Sequence, residues 1–195
     1  IPKSGYRIGT YVQDEWRIAE TLTGTVGLRV DRNDVTGIKS SPRAALIWQA
    51  TAATTLKMLA GRAHRAPNVY ERDYSDGLAQ ARNPELKGES IDTMEIVADH
   101  RVGNDLTLRS SVYQWTMRDL ITLGIDPASG LAQYQSGETV KAHGLELSAD
   151  KTWRDGARLR GSLSFQNVRD ANGATLVNSP KLLAKLNYSA RLPVA

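Results

Sequence analysis

Residues 61–90, GRAHRAPNVYERDYSDGLAQARNPELKGES, hold a concentration of side chains that could bind a ligand. Asn68, Tyr70, Arg72 and Tyr74 bring hydrogen-bond donors and aromatic faces within a few residues of one another. The middle of this stretch has no strand pattern, and a loop of such length is uncommon in a compact domain unless it is functional or disordered. The residue types therefore favour binding, through hydrogen bonds and aromatic contacts.

Catalysis and metal binding have little support in the sequence. His64, His100 and His143 lie far apart, and no two of them have the spacing of a metal-ligand pair. No Ser–His–Asp arrangement, glycine-rich phosphate loop or helix-borne pair of carboxylates stands out. The chain has no cysteine, which excludes disulfides, iron–sulfur clusters and thiol chemistry. We therefore expect a protein that is not an enzyme and that has no cofactor or metal ion of its own.

The glutamates that fall in strand-like segments have a simpler explanation than acid–base catalysis. Glu15, Glu95 and Glu146 are expected to line a polar interior and to form ion pairs there. The expected partners are Arg17, Arg29, Arg158 and Arg160.

Composition narrows the class of protein further. The chain has 195 residues, enough for one domain or for part of a larger one. Although 41% of the residues are hydrophobic, no stretch approaches the roughly 18 apolar residues of a membrane helix. The charged residues are spread along the chain, and a net charge of +4 does not predict a nucleic-acid partner, which would need a concentrated basic face.

The elements that must position the loop are indicated by an alternation of apolar and polar residues with a period of two. In residues 22–31, LTGTVGLRVD, the apolar and glycine residues alternate with Thr, Arg and Asp. The pattern recurs along the chain, whereas no long segment has a convincing helical period. The prediction is an all-β protein with nine long strands, near residues 7–18, 22–32, 42–50, 54–65, 90–101, 106–119, 139–152, 157–169 and 180–192.

The predicted connections are of two lengths that alternate without exception. Short turns follow residues 18, 50, 101 and 152. Long loops are expected at 33–41, 66–89, 120–138 and 170–179. An antiparallel up-and-down meander places all short turns at one end and all long loops at the other, as in a transmembrane β-barrel of the bacterial outer membrane. A soluble β-sandwich mixes hairpins with crossovers and seldom shows this order.

The segment 120–138 contributes a second feature to the long-loop end. It reads as an extended hairpin with its tip at 126–130, and Tyr134 and Gln135 lie on the returning arm. The hairpin forms either a second wall of a binding mouth or only a rigid extension of its two strands. In the first loop, Pro67 ends the preceding strand because proline cannot donate to the ladder.

A series of short motifs resembles those of the TonB-dependent outer-membrane receptors. AHRAPNVYE (63–71) is similar to that family's FRAPN-x-x-E segment, and NPELKGES (83–90) is similar to the NPxLKPE segment that follows it. Further similar segments are YVQDEW (11–16), GLRVD (27–31), SPRAALIW (41–48), MRDLITL (117–123), KAHGLELSAD (141–150) and NSPKLLAKL (178–186). Gly88 stands where the family has proline, and His64 where it has an aromatic residue; neither change disturbs a barrel.

The resemblance implies a fold, a location and a set of partners. Residues 1–195 would be a partial β-barrel domain of a receptor in the bacterial outer membrane, with the plug domain and both barrel termini outside the chain. Implied partners are outer-membrane lipid, the plug domain and, through it, the periplasmic energy-coupling protein TonB. No nucleic acid is implied.

The implied function is the binding and import of a scarce nutrient, for which a ferric siderophore is the family's commonest substrate. The ligand is then expected to be an iron chelate, which the donors and aromatic faces of the long loop suit. The candidate ligand-binding residues are Arg65, Asn68, Tyr70, Arg72, Tyr74, Tyr134 and Gln135.

Two other functions stay open at this point. A passive porin-like channel would share the pattern of strands and loops. A soluble extracellular β-domain that binds carbohydrate would bury its apolar faces against another sheet, including Phe165, Leu186 and Tyr188.

Overall fold

Nine long strands pair side by side in the order in which they occur along the chain, each antiparallel to the next. The structure, a computed structural model, describes residues 5–191. Its strands are β1 (Arg7–Ala19), β2 (Leu22–Asn33), β3 (Gly37–Gln49), β4 (Thr54–Arg65), β5 (Gln80–Ala81), β6 (Glu89–Val102), β7 (Leu106–Ile125), β8 (Ala132–Thr152), β9 (Arg158–Asp170) and β10 (Leu182–Ser189), with one short helix, α1 (Val69–Asp73). The predicted all-β antiparallel meander is confirmed.

The long loop predicted at 33–41 is wrong. β3 begins at Gly37, and the register continues to the pair Asn33↔Gly37, so only three residues join β2 to β3. The side-chain oxygen of Asn33 accepts hydrogen bonds from the amides of Val35 and Thr36, at 2.9 and 2.7 Å. Gly37 has a φ of 68°, which glycine adopts without strain. A side-chain-stabilised turn therefore replaces the expected loop.

The extended hairpin predicted at 120–138 is confirmed, and its strands are longer than expected. β7 runs to Ile125 and β8 starts at Ala132, so the connection is confined to the hairpin tip. The register shifts between Met117 and Thr122. Within that irregularity Asp119 has a φ of 55°, an unusual backbone for a residue other than glycine. At this β-bulge the alternation of side chains between the two faces is interrupted, while β7 and β8 stay paired on both sides of it.

The hairpin tip is closed by one aspartate. Asp126 accepts a hydrogen bond from the hydroxyl of Ser129 at 2.6 Å and from two backbone amides. These bonds, led by that of the hydroxyl, hold the pKa of Asp126 below its usual range. Its backbone also pairs with Leu131 and Gly130, at 2.9 and 2.8 Å. The tip is therefore a defined turn that holds the two arms in register.

The strand registers place apolar residues on one face of the sheet. One cross-strand row on this face, called here the apolar row, consists of Met58, Ile96, Val112, Leu145, Phe165 and Leu182. Phe165 is 43% exposed and Leu186, on the same face, is 75% exposed. Within residues 5–191 no second sheet covers them, which contradicts the sandwich expected of a soluble β-domain. The described chain is therefore a single sheet, called here the wall, whose apolar face must contact an apolar environment other than a second sheet.

The opposite, polar face is held by ion pairs, but not by those expected. Asp31 pairs with Arg7 and Arg29, and Asp150 pairs with two arginines of β9. In the part of the chain that the structure describes, no salt bridge joins Glu15, Glu95 or Glu146 to an arginine; Glu15, for example, accepts from the hydroxyl of Thr25 at 3.5 Å. The prediction was wrong because Arg29, Arg158 and Arg160 have aspartates two residues away or on the adjacent strand.

The helical content is minor. α1 has only five residues, and no helix within residues 5–191 is both long and apolar enough to cross a membrane.

The two faces can be distinguished by placing a charge on each. Leu163 and Ser164 are neighbours in β9 but face opposite sides, and Ser164 lies across from Glu146. If the apolar face borders lipid, Leu163→Arg should lower the unfolding free energy of the complete protein in lipid vesicles by about 2–4 kcal/mol. Ser164→Arg should cost far less, because its charge would face a carboxylate. Equal costs in urea unfolding of the two vesicle-inserted variants would contradict the assignment of faces.

Candidate ligand-binding mouth

The connection between β4 and β6 packs beside the β7–β8 hairpin at the end of the sheet where the longer loops lie. β5 pairs with β8 in parallel, with Gln80 opposite Ala132 and Ala81 opposite Gln133. The side chain of Asn83 donates to the carbonyl of Tyr134 at 2.8 Å. These contacts hold the connection against the hairpin, so residues that are distant in sequence meet at this end of the sheet. This region is called here the mouth.

The connection starts with a helix whose N-terminus is closed by its own side chains. The side-chain oxygen of Asn68 accepts from the amide of Glu71 at 2.8 Å, and the carboxylate of Glu71 accepts from the amide of Asn68 at 2.9 Å. This reciprocal pair is a capping box. Pro67 is buried just before it and ends the β4 pairing, as predicted.

Arg65 joins this helix to the sheet. Its guanidinium donates to Glu71 at 2.9 Å and to Glu89, the first residue of β6, at 2.6 Å. The chain returns very close to the same point. A Cβ on Gly88 would lie 2.8 Å from the carbonyl oxygen of Arg65 and 2.9 Å from a methyl carbon of Thr36. Glycine at this position therefore permits the close approach of the two segments. The bonds of Arg65 to Glu71 and Glu89, called here the arginine clamp, hold the segments together.

Three tyrosines meet at the mouth and are called here the tyrosine cluster: Tyr70, Tyr74 and Tyr134. The rings of Tyr70 and Tyr74 stack with centroids 4.7 Å apart and planes 24° apart. Tyr134, from β8, meets Tyr70 edge to face at 6.1 Å and 70°. Tyr70 is 52% exposed and Tyr74 is 41% exposed, so the cluster presents aromatic surface to solvent.

The other candidate residues mainly build the mouth. Arg65 and Asn68 form the clamp and the helix cap. Arg72 donates to the carbonyl of Pro84 at 3.2 Å, and Gln135 donates to the carbonyl of Ile125 at 3.0 Å. Direct contact between any of these candidates and a ligand stays a prediction. The sequence placed the residues in one region, but it did not separate those that support the mouth from those that present a surface.

Two residues of the mouth were missed by the sequence analysis. The side-chain oxygen of Gln80 accepts from the hydroxyl of Tyr70 at 3.2 Å, and its buried Nε2 has no hydrogen-bond partner among residues 5–191. Asp76 accepts from the amides of Gln80, Ala79 and Leu78, which lowers its pKa to about 2. The Asp76–Gly77 pair was a readable turn signal. The two-residue strand β5 that follows had no such signal in the sequence.

The exposed tyrosine rings of the mouth suit an organic ligand. Within the described residues, no three His, Asp or Glu side chains converge as a group that could hold a metal. Exposed tyrosine rings offer flat apolar faces with a polar hydroxyl at the edge. The arrangement can therefore hold a planar or aromatic ligand, or a metal already wrapped in such a ligand.

The arginine clamp can be tested by hydrogen exchange. Arg65→Ala in the complete protein leaves two carboxylates without their shared cation, so the amides of residues 68–81 should exchange on the order of tenfold faster. Arg101→Ala is the control, because Arg101 bonds the carbonyl of Ala52 at the opposite end of the sheet. Mass spectrometry of exchanged peptides reads both variants. Unchanged protection of residues 68–81 in Arg65→Ala would show that the clamp does not order the mouth.

Comparison with known proteins agrees with this architecture. The family model described as TonB dependent receptor-like, beta-barrel matches residues 2–193. The "iron-regulated outer membrane virulence protein" of Vibrio cholerae serotype O1 (El Tor Inaba N16961) is 25% identical over 199 residues, covering 92% of this chain and 30% of that protein. This chain thus spans about a third of the relative's length.

Solved structures of low sequence identity share the fold. The siderophore receptor PirA from Acinetobacter baumannii has a TM-score of 0.81 at 16% identity, covering 96% of this chain and 31% of that one. The FrpB iron transporter from Neisseria meningitidis has a TM-score of 0.72 at 19% identity, covering 97% and 31%. The copper transporter OprC has a TM-score of 0.74 at 18% identity, covering 96% and 32%.

These matches explain the exposed apolar face, which borders the lipid of the bacterial outer membrane, and they confirm the predicted location. The short turns are then periplasmic and the mouth is extracellular. The chain belongs to the TonB-dependent receptor β-barrel family.

Proposed function

We propose that the complete protein captures an iron–siderophore complex at its extracellular face and imports it. The observation that carries this proposal is the tyrosine cluster, presented to solvent by a connection that is bonded to the β7–β8 hairpin. A siderophore encloses its metal in an organic shell, so the receptor meets ligand surface and not a bare ion. Aromatic rings on a rigid support bind such a surface with little loss of conformational entropy.

The chemistry of the mouth favours recognition of the shell of the chelate. The polar atoms of Asn68, Arg72 and Gln135 already serve hydrogen bonds within the mouth. The rings of Tyr70 and Tyr74 keep exposed faces. The hydroxyl of Tyr70 donates to Gln80, and it can still accept a hydrogen bond at the edge of the ring. Stacking on rings and bonding to hydroxyls is a suitable combination for catecholate or other aromatic chelates.

Relatives and structural neighbours support a metal-chelate ligand without fixing which one. The Vibrio cholerae relative is called iron-regulated, PirA is called a siderophore receptor, and OprC is called a copper transporter. We assign the iron–siderophore class to this protein on the strength of the aromatic mouth.

Import requires parts of the protein that lie beyond this chain. We propose that a plug domain closes the barrel and that the energy-coupling protein TonB displaces it, as membership of the family implies. A passive porin-like channel would have the same wall, but family membership favours the receptor. The contribution of this segment is a rigid wall, a polar face toward the lumen and the ligand mouth.

The proposal is tested by substituting the rings of the mouth. Tyr70→Ala and Tyr134→Ala in the complete receptor should each weaken binding of its chelate roughly 10- to 100-fold, the cost typical of a truncated aromatic anchor. Tyr70→Phe keeps the ring and should retain most of the affinity. Cell-surface binding of radio-iron-loaded catecholate, hydroxamate and carboxylate chelates provides the measurement.

The matched control is Tyr188→Ala, on the lipid-facing side near the periplasmic end and 67% exposed. It should leave chelate binding unchanged at equal surface abundance. If no chelate of the panel binds above the level of cells lacking the receptor, the proposed substrate class is wrong. If the alanine variants at Tyr70 and Tyr134 bind as the unchanged receptor does, the mouth is not the binding surface.

A further inference from the structure

A row of four charged residues and one threonine crosses the lipid-facing side of the sheet above the apolar row. The registers align Arg62, Asp92, Thr116, Lys141 and Arg169 across five strands. Each lies four residues along its own strand from a member of the apolar row, toward the extracellular end. Because side chains alternate with a period of two, an interval of four returns to the same face. The charges therefore point outward, toward the membrane.

The height of Lys141 and Arg169 corresponds to the headgroup region of the bilayer. Four residues of strand rise about 13 Å, and a tilt of about 40° leaves roughly 10 Å along the membrane normal. Lys141 and Arg169 are thus roughly this far beyond Leu145 and Phe165, the last large apolar residues on this face of β8 and β9. Headgroups occupy the zone just outside the hydrocarbon core. Lys141 and Arg169 therefore meet lipid headgroups and not acyl chains.

One part of the row is neutralised within the protein, and the other is not. Asp92 accepts hydrogen bonds from Arg62 and from Arg118, which lies one step further along β7. Lys141 and Arg169 stand directly opposite one another on β8 and β9, where like charges destabilise a sheet. Within residues 5–191 neither forms a salt bridge; Arg169 donates instead to Asn167 at 3.2 Å and to the carbonyl of Gly173 at 2.9 Å.

The uncompensated pair has the chemistry of an anion site. Both side chains are exposed, so an external anion can reach them. An anion that lies between the two cations would relieve their repulsion, and a phosphate can accept hydrogen bonds from both. Below the pair, Phe165 and Leu182 are 43% and 54% exposed on the same face. The two positive side chains above and the apolar surface below match a lipid whose phosphate lies above its acyl chains.

We propose that Lys141 and Arg169 bind the phosphate of a phosphorylated glycolipid of the outer leaflet, a lipid A-type headgroup. The two cations contact the phosphate, and the acyl chains lie along the apolar row of β8 to β10. The site is on the outside of the barrel, away from the tyrosine cluster, and its occupancy does not depend on which chelate the receptor imports.

The experiment uses the complete receptor, purified without lipid and titrated with bisphosphorylated lipid A in detergent. Native mass spectrometry counts the bound lipid, and thermal unfolding gives a second readout. Lys141→Gln/Arg169→Gln should weaken lipid A binding at least tenfold and abolish the rise in Tm that lipid A causes. Arg17→Gln/Lys185→Gln removes one arginine and one lysine from the polar face and should bind lipid A as the unchanged receptor does.

Two further measurements need no variant, so a failure of the double variant to fold cannot rescue the proposal. Lipid A stripped of its phosphates should bind at least tenfold more weakly to the unchanged receptor, and inorganic phosphate should not displace intact lipid A. Equal binding of the dephosphorylated lipid would overturn the role assigned to phosphate. Displacement by inorganic phosphate would show a simple anion site, and equal binding by the double variant would place the lipid elsewhere. Chelate uptake enters none of these readouts, so the proposed function stands or falls separately.

Discussion

Backbone hydrogen bonding without water is the constraint on which the rest of the structure depends. In a bilayer each unpaired N–H or C=O costs several kcal/mol, so strands can cross only if their neighbours satisfy them. The ladder between β6 and β7 accordingly runs without interruption from Ser90↔Arg118 to Val102↔Leu106. Pairing each strand with the next one in sequence also decides which loops share an end. The connection after β4 and the β7–β8 hairpin meet for this reason, and the mouth is a consequence of the meander.

The sequence predicted the strands well where lipid and lumen impose different solvents on the two faces, because that contrast creates the alternation. It predicted the extended hairpin at 120–138, but it set the limits of the regular strands too far from the hairpin tip, at 119 and 139, where the ladder continues beyond the membrane. β7 extends to Ile125, and β8 begins at Ala132. This part of the hairpin has water on both sides, so its residues need not alternate between apolar and polar. The early start of β3 depends on the side chain of Asn33, which forms the turn that a loop was expected to supply. Backbone hydrogen bonds to a neighbouring strand hold these segments in place, and the local sequence pattern does not identify the partner strand.

The site was predictable as a region but not as a set of roles. The motif that begins at Arg65 has the donors expected of a binding loop, yet Arg65 and Asn68 use them to build the loop. A sequence cannot distinguish the two uses, because the same guanidinium or amide serves either. The meeting of Tyr134 with Tyr70 needed the fold, since β5 and the bond from Asn83 bring the two segments together. Proximity produced by long-range pairing has no local signature.

Four aspartates of the sheet share one pattern of ion pairing. On the polar face Asp31, Asp99 and Asp150 each bond two cations, and on the lipid side Asp92 does the same. A carboxylate shared by two cations leaves an excess positive charge, which water in a lumen can solvate at little cost. On the lipid side solvation is poorer, and the facing cations of β8 and β9 pair with no carboxylate of residues 5–191. Because a membrane offers anions only at its headgroups, two facing cations without an ion pair at that depth point to an anion that comes from the lipid.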